Sequence, residues 1–169
     1  MYTQISTATL DDLWVVPTSG DPTPVPVLVT PFNELHGQFS PDGKWIAYTS
    51  NESGQEEIHV RSMAATGSTR VSTSGGSFAR WRADGKELFY IALDGRLMAV
   101  PIGLAPNRQS LESGVPVPLF LTNIGGAIQG AYKQQYVVSG DGQRFLMNSV
   151  VTQATPSPVT VILNWQPKQ

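Results

Sequence analysis

The chain has 169 residues, and its eleven basic and thirteen acidic side chains give a net charge of −2, so no electrostatic footprint favours nucleic acid or an anionic membrane surface. Sixteen glycines and thirteen prolines run through the whole length while hydrophobic residues make up 40%, which excludes long helices and wholesale disorder and still leaves material for a sizeable core. The absence of cysteine excludes a disulfide framework, a thiolate nucleophile and Cys-ligated zinc.

Met1 to Leu10 lacks a basic segment followed by an apolar one, and no apolar run reaches the roughly 18 residues of a membrane helix. The chain as given therefore reads as soluble and cytoplasmic, or periplasmic if it belongs to a longer exported protein. Leu13 to Pro17 reads as a strand with no hairpin before it, and Pro26 to Thr30 as an outer strand whose proline suits an edge. Next comes Phe39-Ser40-Pro41-Asp42-Gly43-Lys44-Trp45-Ile46-Ala47-Tyr48, an apolar run, an Asp-Gly turn and a second apolar run, which is a β-hairpin signal. Ile58 to Arg61 supplies a third strand and Thr69 to Thr73 a fourth.

The hairpin recurs from Trp81 to Tyr90 around Asp84-Gly85, and again from Val138 to Met147 around Asp141-Gly142; the Asp-Gly steps lie 42 and then 57 residues apart. Ile46, Leu88 and Phe145 fall at one equivalent position, and Tyr48, Tyr90 and Met147 two residues later, so period-2 alternation places all six on core faces. Leu97 to Val100 and Pro116 to Thr122 complete the second copy, with Ile102 to Val115 and Asn123 to Tyr132 read as extended loops; Val159 to Leu163 is a further strand near the end. Four strands in about 40 to 45 residues is the period of a propeller blade. The predicted fold is all-β: blades of four antiparallel strands, about three and a half of them, in pieces at about 2–30, 35–73, 77–122 and 130–165 of one partial propeller domain spanning 1–169.

The SPDGKWIAY and RADGKELFY hairpins resemble the repeats of TolB-like, WD-repeat-like bacterial β-propellers. The run from Leu13 to Pro101 is similar to the C-terminal propeller of bacterial proteins that often begin with a serine/threonine kinase domain, and Val159 to Trp165 looks like its closing strand. The chain has neither a kinase Gly-rich loop nor a His-Arg-Asp catalytic loop, so any kinase activity would belong to another domain. Such propellers usually have six or more blades, which makes this chain either a piece of a longer protein or a half-ring that closes by pairing with a second copy.

The repeated Asp42, Asp84 and Asp141 read as turn residues that bond their own backbone, not as metal ligands. No G-x-S-x-G elbow, Walker sequence or G-x-G-x-x-G element is present, so neither a serine hydrolase nor a nucleotide site is supported. His59 reads as a packed imidazole, and Trp81 as core between blades. The residues on or beside inner strands, hence the expected rim for a partner, are Asn33, Glu34, His36, Arg80 and Arg82. The expectation is a non-catalytic module that binds a protein or peptide and self-associates as a dimer, with no cofactor and no metal. The alternatives are a propeller hydrolase or lactonase with a channel cation, and a fragment of a larger sensor protein.

Overall fold

The structure, a computed structural model, describes residues 1–64, 67–105, 110–122, 124 and 135–149. The expected strand at Val159 to Leu163, Trp165 and most of the loop from Asn123 to Tyr132 lie outside them. In chain order the strands are β1 (Tyr2–Ser6), β2 (Leu10–Val15), β3 (Val25–Leu28), β4 (Glu34–Phe39), β5 (Trp45–Ser50), β6 (Glu57–Ser62), β7 (Ser68–Arg70), β8 (Ser77–Trp81), β9 (Glu87–Ile91), β10 (Arg96–Leu104), β11 (Leu111–Ser113), β12 (Val117–Leu121), β13 (Tyr136–Val138) and β14 (Phe145–Met147). No helix is present among the described residues, hence none long and apolar enough to cross a membrane.

The strands form successive antiparallel sheets, β1-β2-β3, β4-β5-β6-β7, β8-β9-β10-β12 with β11 also on β10, and β13-β14. Neighbouring strands of each sheet follow one another in the chain, except that β11 lies between β10 and β12, and four of the hairpins are closed by the same chemistry. Gly43, Gly85, Gly95 and Gly142 take φ of 70°, 71°, 83° and 73°, and their N–H groups donate to the carbonyls of Ser40, Arg82, Ala92 and Ser139 at 2.9 Å. The preceding aspartate accepts from the amide of Lys44 (3.1 Å), Lys86 (3.0 Å), Arg96 (3.0 Å) or Gln143 (3.0 Å) in turn. The Ser40 and Ser139 hydroxyls, and then these amides, hold Asp42 and Asp141 below the usual aspartate range; the Arg96 amide does the same for Asp94, and the Arg82 guanidinium, then the Lys86 amide, brings Asp84 to about 2.

Facing sheets bury one layer of side chains between each pair. Ile46 and Tyr48 pack with Leu13 and Leu28 between the first two sheets. Leu88 and Tyr90 pack with Ala47, Ile58 and Val60 between the second and third, and Phe145 and Met147 lie against Phe89 and Ile91 between the third and fourth. The even and odd residues of β5 and β9 thus serve different layers. Both faces are covered, which is why these strands read as continuous apolar runs.

Two expectations need correction. The strand at Leu13 does have a hairpin partner, β1, in register from Tyr2 opposite Trp14 to Ser6 opposite Leu10. Its turn contains no Asp-Gly; Ser6 Oγ accepts from the amides of Ala8 and Thr9 instead, at 3.1 and 3.3 Å. Residues 102–115 are not a loop throughout, because β10 runs on through Leu104 and pairs with β11, Ile102 opposite Ser113 and Leu104 opposite Leu111. The pairing buries Ile102 and Leu111 in the middle layer.

Candidate functional site

The first strands of the sheets, β4, β8 and β13, lie side by side, so side chains at their starts gather in one region. β4 and β8 each break register at the same repeat position, between Leu35 and Gln38 and between Ser77 and Arg80. The residues responsible are His36 and Phe78, both left-handed, at φ 56° and 61°. A left-handed backbone is uncommon for any residue with a Cβ and costs about 1–3 kcal/mol, and bulges of this kind re-aim side chains. Here they turn the imidazole and the phenyl ring onto each other, with centroids 4.2 Å apart.

His36 Nδ1 lies 3.2 Å from Ser77 Oγ and 3.4 Å from Thr49 Oγ1, and the two hydroxyls are 3.4 Å apart. Burial pushes the carboxyl of Glu56 up, and the nearby Ser77 hydroxyl opposes that rise. Neither hydroxyl was foreseen as a site residue, since Thr49 arrives from the second strand of its sheet and Ser77 stands at the very start of β8.

Glu34 opens β4 but points inward at 1% exposure. Thr30 Oγ1 donates to its Oε1 at 2.6 Å and Ser50 Oγ at 3.5 Å, while Oε2 is buried with no partner. Burial raises its pKa, and the fields of Asp12 and Glu52 add to the rise. Asn33 ties the sheets together: its amide donates to Asn51 Oδ1 at 2.9 Å and its own Oδ1 accepts from the amide of Asp11 at 3.4 Å.

The two arginines have opposite surroundings. Arg82 follows β8 in the hairpin turn, and its Nε and Nη2 hold Asp84 at 2.8 and 2.9 Å while Nη1 holds Glu87 at 2.8 Å. Its donors are committed within the hairpin. Arg80 emerges just after the β8 bulge at 8% exposure, with Nη1 on the carbonyl of Ala79 at 2.7 Å and its guanidinium carbon 5.7 Å from the ring centre of Tyr136 on β13. Desolvation lowers its pKa. The structure therefore groups His36 with Ser77 and Thr49, sets Arg80 against Tyr136, and leaves Asn33, Glu34 and Arg82 in internal bonding.

His59 is buried at 3% exposure, stacked on Tyr48 at 5.6 Å, with Nδ1 3.1 Å from Glu52 Oε1; burial lowers its pKa more than the carboxylates raise it. At the opposite end of the hairpins a cavity of about 630 Å³ opens between the turns at Asp42 and Asp84, lined by Trp45, Trp81, Asp42, Asp84, Lys86 and Leu111. Trp81 donates from Nε1 to the carbonyl of Gln38 at 3.3 Å across the layer. Among the described residues no three His, Asp or Glu side chains converge as a metal-binding group.

No family model matches the chain, and no curated protein matches it. Solved structures do. TolB from Acinetobacter baumannii matches with a TM-score of 0.59 at 20% identity over 86% of this chain and 33% of its own. A putative 6-phosphogluconolactonase from Bacteroides uniformis matches with a TM-score of 0.51 at 16% identity over 87% of this chain and 46% of its own. A putative TolB from Agrobacterium tumefaciens matches with a TM-score of 0.50 at 17% identity over 69% of this chain and 45% of its own. These likenesses give the fold: the sheets are blades of a β-propeller, part of a ring. The chain spans less than half the length of each of these structures.

Proposed function

We propose that the chain is a non-catalytic β-propeller module that recognises a protein or peptide through the inner-strand region built by β4, β8 and β13. The observation that carries this reading is the repeated bulge: two successive inner strands accept left-handed residues, and the outcome is a His36–Phe78 pair and an arginine set beside it in the chain. Strain of this kind is kept where a side-chain arrangement matters more than the local backbone. The likeness to TolB structures supports a binding role, and the resemblance to propellers that follow a kinase domain supports a sensor-like segment of a larger protein. Selection of a random peptide display library on the immobilised chain tests it. Enriched peptides should lose at least tenfold in affinity with His36→Ala or Arg80→Gln; enrichment indifferent to both substitutions overturns the reading.

A second reading, a propeller hydrolase or lactonase, is favoured by the 3.2 Å approach of Ser77 Oγ to His36 Nδ1 and by the lactonase-type neighbour. It requires turnover of a lactone, with or without an added divalent cation, that Ser77→Ala abolishes. Closure of the ring by a second copy is a separate proposal, read by light scattering: a species near twice 18.3 kDa that survives dilution supports it, and a monomer refutes it.

A further inference from the structure

A buried guanidinium is normally neutralised by a carboxylate, because an uncompensated charge in a desolvated site is costly. All thirteen Asp and Glu side chains of the chain lie within the described residues, and none comes within 4.0 Å of Arg80. The same strand end supplies its own comparison. Arg82, two residues on, has its Nε–Nη2 edge filled side-on by Asp84, whereas Arg80 spends only Nη1, on a neighbouring carbonyl. Among the described residues its Nε and Nη2 make no bond. The Tyr136 ring beside it supplies a face that favours a cation without neutralising it.

We propose that the Nε–Nη2 edge of Arg80 is a binding site for a carboxylate supplied from outside the chain, by a peptide or by a small organic acid. The planar fork of arginine accepts a carboxylate through two parallel N–H donors, and that edge is the bidentate one left open. The Ala79 carbonyl and the bulge before Arg80 fix the side chain in advance, so little freedom remains to be lost on binding. The proposal rests on the binding reading above and names the ligand's chemistry. Retaining an unneutralised cation costs stability in the free protein, as expected of a group kept for a ligand rather than for the fold.

The experiment uses the full chain with nitrogen-15 label, following arginine Nε–H signals and identifying that of Arg80 as the one lost in Arg80→Met. N-acetyl-glycylglycine as the free acid, the same dipeptide as its C-terminal amide, and succinate are the probes. The free acid should shift the Arg80 signal saturably and the amide should not; saturation by succinate at equal or lower concentration assigns the site to small acids, and weaker binding assigns it to peptides. Without any probe, Arg80→Met should melt at or above the parent, and it should lose the rise in melting temperature that the acid gives. Equal shifts from acid and amide, no saturable shift at millimolar probe, or a lower melting temperature for Arg80→Met overturns the proposal. If library peptides bind in a way that depends on His36 while the acid and the amide behave alike, the carboxylate site fails and the recognition reading stands.

Discussion

Leu88→Ala probes the layer between the second and third blades directly. Leu88 is 0% exposed and packs with Ala47, Ala79, Ile58, Val60 and Val100. Two of those neighbours are alanines with no side chain to extend into the gap. β9 is also bonded on both sides, Leu88 opposite Trp81 on one and Val100 on the other, so the backbone cannot move in to close it. The site therefore cannot collapse to the low end of the Leu→Ala range: about 2 kcal/mol of lost transfer energy and a further 1–2 kcal/mol for the unfilled cavity give roughly 3–4 kcal/mol in all. Urea unfolding followed by tryptophan fluorescence and far-ultraviolet circular dichroism measures it. Leu146→Ala, 76% exposed on β14, is the control and should change stability by less than about 0.5 kcal/mol. A loss below about 1 kcal/mol at Leu88 would refute the sheet-on-sheet layer, since no fully enclosed leucine in a rigid setting is removed so cheaply.

Ser72→Ala should cost about 1–3 kcal/mol in the same assay, because its buried hydroxyl both accepts from the amide of Ile58 at 2.7 Å and donates to Glu57, which is itself 1% exposed. Glu34 has a raised folded pKa, so the folded state holds its proton longer and stability falls as pH rises from the ordinary glutamate value through the raised one. Glu34→Gln should remove that fall, and melting curves taken from about pH 4 to pH 8 that stay parallel for parent and variant would show that it does not occur. Gly142→Ala should destabilise more than Gly20→Ala: both sit at positive φ, but at 142 a Cβ would lie 2.7 Å from Arg82 Cδ and 3.2 Å from Phe89 Cζ, whereas at 20 nothing lies within 4 Å. Equal melting temperatures for the two variants would contradict the packing of the Asp141-Gly142 turn against the preceding blade.

The repeat was legible because Asp-Gly turns and the residues after them carry a local signal: the same glycine conformation and aspartate-to-amide bonds recur four times. β1 was not, since its turn is closed by Ser6, a residue that fits many settings. β11 escaped because the run after Ile102 is polar and glycine-bearing, and its pairing depends on β10 extending past the blade. At the candidate site, inner-strand position identified His36 and Arg80, but alternation along a strand could not foresee the bulges, which no propensity assigns to a phenylalanine at φ 61°. Nor could it show that Glu34 turns inward, because burial of that carboxyl depends on hydroxyls of Thr30 and Ser50 brought by neighbouring segments. Arg82 lies within reach of Asp84 and Glu87 only once the hairpin closes.

Recognition through the inner strands is tested most directly by amide chemical-shift mapping of the labelled chain with the tightest peptide from the display selection. Perturbations should centre on His36, Phe78 and Arg80 and extend to Ser77 and Tyr136. Shifts confined to the outer strands β7 and β12, with those residues unchanged, would contradict it.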